Sequence, residues 1–227
     1  MIPLSIADIA EITGGSLDCV SDPDQRVTGF IEFDSRKVTK GGLFLALPGA
    51  RVDGHDYAEK AIEQGAVAVL AARPVGVPAV VVKPQGRVTG DAANADIYAH
   101  DEDGSAAAVV QALSDIAREV TRRLTAEQGL DIVGVTGSAG KTSTKDLLAT
   151  IFRAEGDTVA PPGSFNNEVG LPYTALRCDE HTRFLVAEMS ARGIGHIRHL
   201  TTITAPTVGV VLNVGTCLLY TSPSPRD

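Results

Sequence analysis

The residues best able to do chemistry lie close together in the stretch 131–146, DIVGVTGSAGKTSTKD. A β-branched run leads into a Gly-rich turn, and Gly140, Lys141 and Thr142 open a series of helix formers. Such a turn aims the backbone N–H groups around Thr136, Gly137, Ser138, Ala139 and Gly140 at one spot before a helix N-terminus, where the helix dipole favours an anion. Lys141 adds a compact positive charge, and the hydroxyls of Thr142 and Ser143 follow in the first helical turn, Thr142 suited to Mg²⁺. The chemistry this predicts is binding of a nucleotide polyphosphate, with ATP and Mg²⁺ as ligands. The strict phosphate-loop spacing wants a glycine five places before the glycine that precedes the lysine; that place holds Val135, and Gly134 is one step early. The stretch is therefore a tighter variant of that loop. The alternative is an ordinary strand-turn-helix connection with a surface lysine.

Glu188 ends the apolar run RFLVAE. If that run is a strand of the same parallel sheet, its carboxylate emerges at the edge where the loop lies. Mg²⁺ between phosphates keeps several waters and takes one or two protein oxygens, so Thr142 and Glu188 are a sufficient metal set, with Lys141 and Glu188 as the expected catalytic residues. A strand-end Glu can instead cap the next helix. Asn166 and Asn167, in PPGSFNNEVGLP, precede a helix with Pro172 near its start, and Asn213 ends the last strand in the same fashion; Asn also caps helices and turns. Nearer the N-terminus, Asp34, Ser35, Arg36 and Lys37, then Arg51, Asp53, Gly54 and His55, mix hydroxyl, basic and glycine residues. Loops of this kind can hold a diphosphate or a sugar-nucleotide head group, although spacing alone reads them as solvated turns.

Alternating strands and helices must position these groups. Residues 5–11 read as a capped helix, 43–47 as a buried strand, 57–64 as a helix closed by Gly65, and 66–71 and 79–82 as strands. Together they make a small α/β unit. Residues 83–105, KPQGRVTGDAANADIYAHDEDGS, lose all periodicity and read as a linker or long surface loop, with an edge strand around 96–99 as the alternative. From Ala106 onward Val109, Leu113, Ile116, Ala117, Val120 and Leu124 recur at helical spacing. After the loop come a helix with Leu147, Leu148, Ile151 and Phe152, a short strand near Thr158, a helix over 169–176, a strand over 184–188, a helix over 194–200 and a strand over 207–212. This alternation implies a parallel sheet covered on both faces, with ligands at the carboxyl ends of its strands. The expected fold class is α/β: a small N-terminal α/β substrate domain (1–83), the linker (84–105), and a phosphate-loop parallel-sheet ATPase domain (106–216) that is incomplete.

The 227 residues suffice for two domains with their own cores, and the formal net charge of -8 disfavours a nucleic-acid backbone as partner. The absence of Trp and the 4% aromatic content leave no stacking platform for single-stranded nucleic acid. Cys19, Cys178 and Cys217 are scattered without metal-ligand spacing, which fits a reducing compartment. The N-terminal MIPLSIADIAEITGG has neither a basic n-region nor a continuous apolar core, so a soluble, cytoplasmic protein without membrane contact is expected.

Taken together, GVTGSAGKTSTKD, SFNNEVGLP, VAEMSARGIGHIRHL and TVGVVLNVGT, with DSRKVTKGGLFLALPGARVDGHDYAEKAIEQGAVAVL before them, resemble the Mur ligases of peptidoglycan synthesis in order and over nearly all of residues 1–216. Lys145-Asp146 and the paired asparagines look like the member that acts last in the cytoplasm. The resemblance implies an ATP-dependent amide ligase, acting as a monomer, that joins D-alanyl-D-alanine to a UDP-N-acetylmuramoyl-tripeptide through an acyl phosphate. It also implies that Asn166 and Asn167 line the nucleotide or acyl-phosphate region, and that Asp34, Ser35, Arg36, Asp53, Gly54 and His55 hold the UDP part. Residues 85–103 are longer than the family carries. After Asn213-Val214-Gly215-Thr216 the family continues with Ala-His-Leu, whose His helps the metal site; this chain has Cys217, Leu218 and Leu219, and residues 217–227 read as a non-native tail on a C-terminally truncated chain. Two readings therefore stand beside the ligase: a non-catalytic nucleotide or UDP-substrate binder, and another ligase of the superfamily, such as the folylpolyglutamate type.

Overall fold

The structure, a computed structural model, describes residues 1–49, 52–87, 98, 101–191 and 193–215. Arg51, most of the expected linker with its edge-strand alternative, and the expected tail lie outside the described residues. The chain divides into two compact units, the first ending at Ile116 and the second starting at Ala117.

In the first unit β1 (Leu4–Ser5) leads into α1 (Ile6–Thr13). The Ser5 hydroxyl accepts the Asp8 N–H and the Asp8 carboxylate accepts the Ser5 N–H, a reciprocal cap that satisfies two otherwise unpaired donors. Four short strands and a helix follow: β2 (Ser16–Asp18), β3 (Arg26–Val27), β4 (Ile31–Glu32), β5 (Gly42–Leu45) and α2 (Ala58–Glu63), then β6 (Ala66–Ala71) and β7 (Ala79–Val81). The main sheet has the order β2-β7-β6-β5-β4, parallel except for β2 at the edge, while β1 and β3 form a separate antiparallel pair. Phe44, Ala46, Val69 and Ala71 pack with Ala58 and Ala61 of α2, so the small side chains of the helix bring it close to the strands.

A long helix, α3 (Ser105–Gln128), runs across the division between the units. Its start is fixed by Asp101, which accepts the N–H groups of Ala106 and Ala107 at 2.9 Å each. The second unit continues with β8 (Asp131–Thr136), α4 (Lys141–Phe152), β9 (Thr158–Val159), α5 (Gly170–Ala175), β10 (Phe184–Glu188), α6 (His196–Thr204) and β11 (Val208–Val211). Its four strands are all parallel in the order β11-β8-β10-β9. Val133, Val135 and Val186 pack with Ala149, Leu148 and Phe152 of α4, and the residues alternating onto the opposite face, Ile132, Leu185 and Ala187, are buried as well. The expected parallel sheet covered on both faces is therefore present. The helix expected over 194–200 instead begins at His196 and runs to Thr204, because Gly195, in the left-handed region at φ 84°, starts it late.

Candidate functional site

Parallel pairing sets which residues share a rim. Glu188 lies beside Val135, and Val211 beside Thr136, so β8, β10 and β11 end side by side. The Gly-rich turn leaves β8 at that rim. Gly137 has φ 146°, and a Cβ there would sit 3.1 Å from the Leu212 Cβ; Gly140, at φ 81°, is the N-cap of α4. Both positions exclude larger residues, and no capping side chain covers the α4 N-terminus, which leaves its dipole facing outward. The loop residues Ser138, Ala139, Gly140, Lys141, Thr142 and Ser143 line an open cleft of about 410 Å³ with Ser164, Asn166 and Glu188.

Lys141 lies over the loop, its Nζ donating to the Gly137 carbonyl at 2.8 Å. From the other side Asn213, just past β11, accepts the Ser138 and Ala139 N–H groups on its Oδ1 at 2.9 and 3.1 Å, and the Ser138 Oγ accepts the Gly215 N–H at 2.8 Å. Glu188 is only 1% exposed. Its Oε1 accepts from the Asn166 side chain at 2.8 Å, and its Oε2 has no hydrogen-bond partner among the described residues. A buried carboxylate oxygen in that state is costly unless a cation meets it. A carboxylate and the Thr142 hydroxyl in one cleft are hard oxygen donors that fit Mg²⁺. Among the described residues no group of three His, Cys, Asp or Glu side chains offers a softer, fully protein-made metal site.

The two asparagines part ways. Asn166 joins Glu188 in the cleft and its carbonyl accepts the Ser190 N–H at 3.0 Å. Asn167 turns its Oδ1 to the N–H groups of Gly170 and Val169, at 2.8 and 3.3 Å, and so opens α5 rather than lining the cleft. Thr136 ends β8 and Gly137 starts the loop, and neither is among the residues that line the cleft. Three residues outside the expected set belong to the arrangement: Ser164 on the cleft wall, Asn213 gripping the loop, and the buried Lys145 behind it. The position of Asn213 at a strand end is a visible signal, and Lys145 stands out only through the resemblance of Lys145-Asp146; Ser164 carries none.

The first-unit candidates lie on two 3-10 turns, each with its own hydrogen-bond network. Asp34 caps the 3-10 turn Ser35–Lys37 and takes Arg36 in a two-pronged pair at 2.9 and 2.8 Å, which holds the Asp34 carboxyl down at about 2. The Arg36 side chain remains exposed, while Ser35 is buried. Asp53 caps the next 3-10 turn, Gly54–Tyr57. A Cβ on Gly54 would lie 2.6 Å from the backbone of Leu47, so only glycine passes there. His55 is buried: the Ala72 N–H donates to Nε2 at 3.0 Å, which leaves the proton on Nδ1 to donate to Asp53 at 2.6 Å. The other Asp53 oxygen accepts from Arg73 at 2.9 Å. Burial alone would raise the Asp53 carboxyl, but the hydrogen bonds from His55 and Arg73 outweigh it and hold it at about 2.

Comparison with known proteins gives these sites a context. Residues 135–217 match the family profile "Mur ligase middle domain", and residues 28–124 match "Mur ligase family, catalytic domain". A UDP-N-acetylmuramoyl-tripeptide--D-alanyl-D-alanine ligase from Mycobacterium leprae (strain TN) is 57% identical over 222 residues, which is 96% of this chain and 43% of the relative. Among solved structures, a MurF from Acinetobacter baumannii superposes with a TM-score of 0.74 at 26% identity, covering 94% of this chain and 42% of that one. A MurF ligase from Thermotoga maritima, solved in complex with ADP, does so with a TM-score of 0.63 at 32% identity, covering 84% and 38%. The chain thus spans less than half the length of these relatives.

Proposed function

The chain belongs to the Mur ligase family, and from that premise we propose that it is the part of an ATP-dependent amide ligase that binds ATP and the UDP-linked acceptor. The reaction is addition of D-alanyl-D-alanine to UDP-N-acetylmuramoyl-tripeptide, in the cytoplasm and as a monomer. The tripeptide's terminal carboxylate bonds to the γ-phosphorus as the bond to ADP breaks; the dipeptide amine then attacks the acyl carbon, loses a proton, and phosphate leaves. The name of the Mycobacterium leprae relative favours this substrate pair over a folylpolyglutamate-type reaction.

The single observation that carries the reading is the shared cleft, in which Lys141, Thr142 and the Oε2 of Glu188, without a partner among the described residues, come together. The α4 N-terminus and the loop N–H groups that Asn213 does not take hold the phosphates, and Lys141 lays its charge on the phosphoryl group in transfer. Thr142 and Glu188 would hold Mg²⁺, which supplies charge neutralisation at the phosphate oxygens. Asn166 keeps Glu188 turned toward that position. For the UDP part we assign Asp34, Ser35, Arg36 and the turn of Asp53, Gly54 and His55; Arg36 is its exposed donor and His55 its internal brace.

Because the chain spans about 43% of the Mycobacterium leprae relative, a second reading applies to the chain by itself: binding of nucleotide without ligation. Calorimetric titration with ATP, in Mg²⁺ and in EDTA, tests the first step. The wild-type chain is expected to bind more tightly in Mg²⁺, and Glu188→Gln to lose that difference; equal affinity of the wild type in both conditions rejects the metal assignment. Product formation from the UDP-tripeptide and D-alanyl-D-alanine separates ligase from binder.

A further inference from the structure

Lys145 stands one helical turn after Lys141, yet its side chain is buried rather than solvated, at 1% residue exposure. A buried ammonium needs its three protons satisfied. Here they reach the Pro161 carbonyl at 2.8 Å, the Gly163 carbonyl at 3.1 Å and the Asp146 carboxylate at 2.7 Å. Pro161 and Gly163 belong to the turn that continues directly into Ser164 and Asn166 on the cleft wall. Asn166 in turn holds Glu188 Oε1. The far side of this segment is anchored separately, by the Asn167 cap and by a buried contact between Glu168 and the His196 ring at the start of α6. Among the described hydrogen bonds, those of Lys145 tie its near side to the helix that begins with the phosphate loop, beside the packing of Ala160 into the core under α4.

We propose that Lys145 is a positioning residue for the metal: by fastening the 161–166 turn to α4, it fixes the distance between the Thr142 hydroxyl on that helix and the Glu188 carboxylate that Asn166 orients. The inference rests on the assignment of Mg²⁺ to Thr142 and Glu188. A bare structural role would lower the stability of the whole unit. A positioning role changes how much Mg²⁺ adds to nucleotide affinity, because Lys145 joins the helix that carries Thr142 to the turn whose Asn166 orients Glu188.

The test uses the full 227-residue chain with Lys145→Met, which keeps the apolar stem, and Lys145→Gln, which restores one donor group for the carbonyls. Hydrogen exchange of the Gly163–Asn166 amides, read without nucleotide, is expected to speed up about tenfold in Lys145→Met and less in Lys145→Gln. Titration with ATP is expected to show the Mg²⁺-dependent gain in affinity reduced about tenfold, as for other groups that orient a metal ligand, with affinity in EDTA unchanged. In an Asn166→Ala background the Lys145→Met change is expected to add nothing further to the loss of Mg²⁺ dependence. Parallel losses with and without Mg²⁺, or an unchanged Mg²⁺ gain, overturn the proposal while leaving the metal assignment in place. A wild-type chain that binds ATP without any Mg²⁺ gain overturns the assignment of Thr142 and Glu188, and this inference with it.

Discussion

The phosphate loop of the second unit and the Asp53–His55 turn of the first draw on the same kinds of residue: glycines, a basic side chain, a carboxylate and short-range caps. They differ in what is left over. At Asp53 and His55 the groups satisfy one another, with both ring nitrogens and both carboxylate oxygens engaged inside the protein. At the loop, α4 has no side-chain cap, Lys141 sits at the cleft, and Glu188 retains an oxygen with no partner among the described residues. Chemistry toward a ligand is carried by unsatisfied capacity held rigidly in place, and residue type alone does not report it.

The sharpest way to break this contrast is at Lys141. Lys141→Ala is expected to weaken ATP binding about a hundredfold, roughly 3 kcal/mol, with no change in the melting of the first unit. Calorimetry with ATP and Mg²⁺ checks it, and a loss below threefold would place the loop with the self-satisfied turn. The mirror experiment is His55→Ala. It removes a buried ring and leaves the Ala72 N–H without its acceptor, and is expected to cost about 2 kcal/mol of stability in urea denaturation while ATP affinity stays the same. Unchanged stability together with weaker binding of the UDP-tripeptide would show that His55 works on ligand rather than on the turn.

A smaller effect separates the two regions by pH. Asp53 titrates at about 2 in the folded chain against an ordinary 3.8, so it adds stability that is complete above about pH 4 and is lost as pH falls toward 2. Acid unfolding of Asp53→Asn, followed by circular dichroism, is expected to show a shallower loss over that window than the wild type. The smallest effect is chemical. Burial pushes the Cys178 thiol up to about 12, so at pH 8 it is expected to resist alkylation until the second unit opens, while the exposed Cys19 reacts at once. Peptide mapping after a short iodoacetamide pulse reads both thiols, and rapid Cys178 labelling in the folded chain contradicts the packing around it.

Much of this was legible in the residues. The helix that opens at Ala106 announces itself because apolar spacing persists for several turns, and Glu188 falls at the loop's rim because parallel strands end on one side. The strands β1 to β4 carry no readable period, being two or three residues each. Neither could sequence divide Asn166 from Asn167: both are amides before a helix, and only the path of the chain sends one to Glu188 and the other to the α5 N–H groups. The burial of Lys145 is hidden for a related reason. A lysine inside a helix reads as solvated, and its burial depends on two carbonyls 16 and 18 residues away.

One consequence follows from β11. It stands at the end of the sheet order, paired with β8 alone among the described residues, and Val208 and Val211 are 52% and 66% exposed. Asn213, the clasp on the Ser138 and Ala139 amides, is fastened to the sheet through that strand. Fraying of β11 therefore slackens the cradle itself, so whatever steadies this outermost rail also tunes how tightly the polyphosphate is grasped.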